Sequence, residues 1–94
     1  MKIKGLKANT NASIDKAEVI EAGEIRTFNK PTGAGRVRTL KLKDDTGEVE
    51  LTLWNDDVEN FSEGDTLKLT ECWVKEWNGK VQISAGKNGK IEKL

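Results

Sequence analysis

The 94-residue chain contains no histidine, one cysteine, one proline and no long apolar run. Each shortage excludes something. Without histidine the commonest general base and zinc ligand are missing, along with every Ser-His or Cys-His arrangement, so an enzyme is not expected. The lone Cys72 cannot form an intrachain disulfide and reads as a small core residue. No segment is long and apolar enough to span a bilayer, and the N-terminal MKIKGLKANT lacks the apolar core of a secretory signal. Together with the cysteine usage, this makes a reducing cytoplasm the expected compartment. The segment KPTGAGR, residues 30–36, lacks the G-K-[ST] ending of a phosphate-binding loop, and the acids between 44 and 65 do not have calcium-loop spacing. No cofactor or metal is expected.

Hydrophobic residues make up 35% of the chain and charged residues 34%, but the apolar ones fall in alternating runs, which marks a folded β domain rather than a disordered chain. The length fits one domain: a lead-in over 1–12, a barrel core over 13–86 and a C-terminal segment over 87–94. Ile3 and Leu6 are placed to pin the lead-in to one end of the core. Ile14, Ala17, Val19, Ile20 and Ile25 predict a long first strand, bent at Gly23. KPTGAGR reads as a loop. Val37–Lys43 follows as the second strand, then a turn at Asp44–Gly47, and Glu48–Trp54 as a third strand with Val49, Leu51 and Leu53 inward. NDDVENF predicts a short helical element capped by Asp56 or Asp57, with Val58 and Phe61 on its apolar side. Thr66–Val74 is the fourth strand, Asn78-Gly79 a hairpin turn, Val81 and Ile83 the fifth strand, and Ile91 the centre of a short terminal strand. Five strands with a helical element between the third and fourth give an all-β, five-stranded Greek-key barrel of the OB type. An SH3-like barrel competes on pattern alone.

Net charge is zero, with 16 basic and 16 acidic residues, yet the signs are segregated. Residues 25–43 hold Arg26, Lys30, Arg36, Arg38, Lys41 and Lys43 with no acid, while 44–65 hold nine acids and no base. A polyanion responds to the local basic face, and the acidic block is expected to form the far, repelling side. Three tryptophans complete the pattern. Trp54 shares the polar face of its strand with Glu50 and Thr52. Trp73 has the parity of Leu67, Leu69 and Glu71, and because Glu71 is no core residue, a bulge near Thr70-Glu71 is predicted to turn Cys72 and Val74 inward and Trp73 outward. Trp77 lies in the hairpin between Lys75 and Lys80. Outward indoles beside cations form a stacking platform for single-stranded nucleic acid.

The segments DDTGEVELTLW and EGDTLKLTECWVKEWNGKVQISAG, with the lead-in IKGLK, resemble the archaeal single-stranded-DNA-binding proteins and replication-protein-A-like OB domains. The resemblance covers nearly the whole chain and is loosest at 30–36. It implies that Trp54, Trp73 and Trp77 stack on bases, that Phe28 adds an apolar contact, and that Arg26, Lys30, Arg36, Arg38 and Lys41 meet phosphates. Lys75 and Lys80 extend that basic set. It also implies further OB domains or subunits of a replication-protein-A-like assembly as partners. DNA is expected over RNA on this resemblance alone. An RNA- or tRNA-binding OB domain and a protein-interaction OB module are the alternatives.

Overall fold

The computed structural model describes residues 2–85 and 89–94, with the side chains of Asp56 and Trp77 left outside the description. Its seven strands are β1 (Thr10–Ala22), β2 (Arg26–Lys30), β3 (Gly33–Lys43), β4 (Glu48–Trp54), β5 (Thr66–Trp77), β6 (Lys80–Ser84) and β7 (Lys90–Lys93). Short 3-10 turns cover Ile3–Gly5 and Asn55–Glu59. Five strands close a ring in the order β1-β3-β4-β6-β5, with β5 pairing back onto β1. All ring pairs are antiparallel except β4–β6, which is parallel. The closed five-strand ring with this order is the OB arrangement. β2 extends from β3 as a hairpin arm, and β7 continues the β5 edge beyond β6.

The alternation of the sequence builds the ring's interior. Val49, Leu51 and Leu53 of β4 point inward beside Leu40, Leu42 and Ile83, and all are buried. Val58 and Phe61 close one end, and Ile3 with Leu6 closes the other, as the lead-in pattern predicted. Cys72 is buried in this core, where desolvation pushes its thiol pKa up.

The first strand departs from its expected form. It ends at Ala22, and Ile25 lies beyond it, 41% exposed. The bends come from two register shifts, between Ile14 and Ala17 against β5 and between Val19 and Glu21 against β3, rather than from Gly23. Gly23 answers a close approach instead. Its N–H donates to Thr39 O at 2.9 Å, and a Cβ would fall 2.8 Å from that same oxygen. The expected loop 30–36 is a tight hairpin, with Pro31 and Thr32 at the turn between β2 and β3. This arm projects from the ring and buries no core face, so it carries no hydrophobic alternation. The helical element is a 3-10 turn whose N-cap is Trp54, with no side-chain cap, in place of the Asp56 or Asp57 cap expected.

The predicted bulge is present. β5 pairs Cys72 with Ala12 and Leu69 with Ile14, so three steps on β5 span two on β1. Glu71 absorbs the extra residue at φ +50°, its N–H donating to Ser13 Oγ at 2.9 Å. Leu67, Leu69, Cys72 and Val74 are therefore all buried while Trp73 faces out.

Asp44 ties the lead-in to the β3–β4 turn. Its carboxylate accepts the N–H of Ile3 at 2.8 Å, the N–H and hydroxyl of Thr46 at 2.7 and 2.6 Å, and the N–H of Gly47 at 3.1 Å. Desolvation pushes its pKa up, but the four hydrogen bonds outweigh this and hold it at about 2, below the ordinary 3.8. A depressed carboxyl stabilises the fold above its unfolded pKa and loses that contribution as pH falls from about 4 to about 2. Asp44→Asn is expected to cost about 1–2 kcal/mol at pH 7 after discounting for solvent screening, and to narrow its deficit at pH 2.5. Thermal melts of both proteins at the two pH values check this; an equal deficit at both refutes it.

Candidate nucleic-acid interface

The outer surface of the ring across β3, β4, β6 and β5 is ordered in rows by the register. One row runs Thr39–Thr52–Ser84–Trp73–Asn11, and the next runs Lys41–Glu50–Gln82–Lys75. Trp54 lies two residues beyond Thr52 on the same side of β4, cross-strand from Val37. Trp54 is 46% exposed and Trp73 40%, so both indoles present faces to solvent. Strand geometry puts their Cα atoms two residues along and two strands across, roughly 12 Å apart. Trp77 ends β5 and pairs with Lys80, but its side chain lies outside the described residues.

The β2–β3 arm brings further residues to this surface. Arg26, Phe28 and Lys30 stand opposite Val37, Gly35 and Gly33, on the side that carries Trp54. The Phe28 ring meets the Trp54 indole edge-on, with centroids 6.1 Å apart and planes at 84°. Lys30 Nζ sits 4.9 Å over the Phe28 ring, a cation–π contact. Arg26, Lys75 and Lys80 are exposed. Lys41 is exposed as well, with Nζ 3.9 Å from both Glu21 and Glu48.

Two of the expected cations are not brought to this surface. Arg36 and Arg38 alternate with Gly35 and Val37 and turn toward the 3-10 turn that follows β4. Arg36 pairs with Glu59 at 2.6 Å. Arg38 donates from Nε to Gly23 O at 2.7 Å and from Nη1 to Val58 O and Phe61 O at 3.1 and 3.3 Å. The acidic block does not lie wholly on a far side either. Glu48 and Glu50 share the parity of Trp54 and stand on the same surface. The alternation that turns Trp54 outward turns them outward too, so that signal was in the sequence. The Phe28–Gly35 pairing was missed, because it exists only once residues 30–36 form a hairpin.

Among the described residues no group of three or more Cys, Asp or Glu side chains is placed to hold a metal ion, and no helix is long and apolar enough to cross a membrane.

Comparison with known proteins places the chain among OB-fold domains. Residues 19–92 match the model of a family described as the OB-fold nucleic acid binding domain. The chain is 32% identical over 90 residues to a single-stranded DNA binding protein of Saccharolobus solfataricus, covering 96% of this chain and 61% of that protein. It is 27% identical over 74 residues to replication factor A of Methanothermobacter thermautotrophicus, covering 78% of this chain and 9% of that protein. The chain thus spans less than two thirds of either relative. Among solved structures, it is similar to the second OB-fold domain of replication protein A from Methanococcus maripaludis, at 32% identity and a TM-score of 0.78. That match covers 100% of this chain and 93% of the other.

Proposed function

The chain belongs to the family of OB-fold nucleic acid binding domains, and we propose that it binds single-stranded DNA, without catalysis, in replication, repair or recombination. One observation carries the proposal: two outward tryptophans lie on one surface flanked by Arg26, Lys30, Lys41, Lys75 and Lys80. Stacking on an indole suits any base, and cations at the margins meet the phosphates, so the surface binds single strands with little sequence preference. Glu50, in the row between Lys41 and Lys75, keeps phosphates off the middle of the sheet. The backbone is thereby directed to the two basic margins and the bases to the tryptophans. Trp77 adds a third stacking group, and Phe28 acts beside Trp54. Further OB domains or subunits of a replication-protein-A-like assembly are the partners that fit, since the named relatives are longer than this chain.

The test is a titration of intrinsic tryptophan fluorescence with oligo-dT. Quenching is expected, with log K falling against log salt at a slope of up to roughly −3.5 for five phosphate contacts. Unchanged emission at low salt and micromolar protein refutes the proposal. Competition by a matched RNA oligomer separates DNA preference from RNA preference, since the 2′-OH is the group that differs systematically. An RNA that wins the competition overturns the choice of DNA.

A further inference from the structure

Gly35 stands directly across from Phe28 on the hairpin arm. A Cβ built on Gly35 would fall 2.4 Å from Phe28 Cζ and 2.6 Å from Cε2. The ring tip of Phe28 thus occupies the space that any other residue's side chain would need. The contact buries Gly35 on an arm whose other residues are mostly exposed. From that position the ring reaches Trp54 edge-on, 6.1 Å between centroids, and Lys30 Nζ lies over it at 4.9 Å. Gly35 is not demanded by its backbone: unlike Gly33 at φ +135°, it is outside the left-handed region. The need for glycine there is the need for space.

We propose that Gly35 is a positioning residue of the nucleic-acid surface: its bare Cα lets Phe28 cross from β2 onto β3 and brace the Trp54 indole. The brace fixes the free indole in the orientation that stacks, so less side-chain freedom is lost when a base arrives. Phe28 is then a strut whose ring is engaged by Gly35, Trp54 and Lys30 before any ligand binds. The affinity part of this inference rests on the function proposed above; the brace itself does not.

The substitution Gly35→Ala isolates the effect. Alanine suits this backbone, and the atoms it displaces are the far end of one side chain, so the ring swings away while the arm keeps its pairing. The experiment compares the parent, Gly35→Ala, Phe28→Ala and the double variant by oligo-dT titration, by thermal melting and by the assigned indole N–H signals in nitrogen-15-labelled protein. Gly35→Ala is expected to weaken binding about three- to tenfold, the size of one lost aromatic pair, with the melting temperature lowered by no more than the roughly 4–8 °C that the same lost pair costs the fold. The Trp54 indole signal shifts while that of Trp73 stays. The double variant binds no worse than Phe28→Ala alone, because both changes remove one brace. Parent-like affinity with an unmoved Trp54 signal in Gly35→Ala overturns the inference, as do losses that multiply in the double variant. A parent protein that binds no oligonucleotide sinks the proposed function instead, and the Trp54 signal still decides whether the brace exists.

Discussion

Trp54→Ala is expected to weaken single-stranded DNA binding by about 1–3 kcal/mol, roughly 5- to 150-fold, while the domain keeps its fold. The separation of the two effects follows from where the side chain lies. Truncating a tryptophan inside the core costs about 3–5 kcal/mol of stability. Trp54 instead ends β4 with 46% of its surface exposed, and its ring contact in the structure is the edge-on one with Phe28. Losing that contact costs on the order of 1 kcal/mol, which for a domain this size lowers the melting temperature by about 4–8 °C. Affinity falls further because the base loses the indole face on which it is proposed to stack. A thermal melt and an oligo-dT titration of the one variant measure both effects. A collapse in melting temperature would make Trp54 a core residue, and parent-like affinity would remove it from the binding surface.

The part of this surface that rides on the ring strands was legible in the sequence, and the part on the hairpin arm was not. β4 alternates without interruption, so the parity of Val49, Leu51 and Leu53 assigns Trp54 to the outside. Trp73 was legible for a subtler reason. Leu69 and Trp73 cannot both be core with Glu71 between them, and only an extra residue resolves the conflict; Glu71 at φ +50° is that residue. Residues 26–36 offered no such constraint. The arm they form packs an aromatic ring onto a glycine, which periodicity does not record, and a Pro-Thr-Gly-Ala-Gly stretch looks like loop. With the hairpin unrecognised, its register was unknown, and Arg26, Lys30 and Arg36 could not be sorted between its two sides, whereas the alternation of Val37–Lys43 already set Lys41 outward, opposite in parity to Leu40, Leu42 and Arg38. Reading the acids of 44–65 as one far side conflicts with the alternation of β4, which already puts Glu50 on the face of Trp54, because on a strand each residue has its own face.

That sorting gives the second large effect. Arg38→Met is expected to destabilise the domain by about 2–4 kcal/mol, whereas Arg26→Ala leaves stability unchanged and lowers DNA affinity. Arg38 turns its guanidinium toward the end of the ring and there donates to Gly23 O, Val58 O and Phe61 O. Those three carbonyls belong to the exit of β1 and to the segment after β4, which otherwise meet through few backbone hydrogen bonds. Methionine keeps the apolar stem and removes the donors, so half-buried carbonyls lose a charged partner, which costs more than an ordinary hydrogen bond is worth. A loss of this size lowers the melting temperature by roughly 10–25 °C in a small domain. Arg26 is exposed on the arm beside Phe28 and forms no salt bridge among the described residues. Its removal takes one phosphate contact away, which shallows the salt slope by about 0.7. Melts of both variants, with titrations well below either transition, separate the two roles. If Arg38→Met melts like the parent and loses one unit of phosphate contact, Arg38 binds DNA. If the expected pattern holds, Arg38 holds the platform together and Arg26 works on its surface.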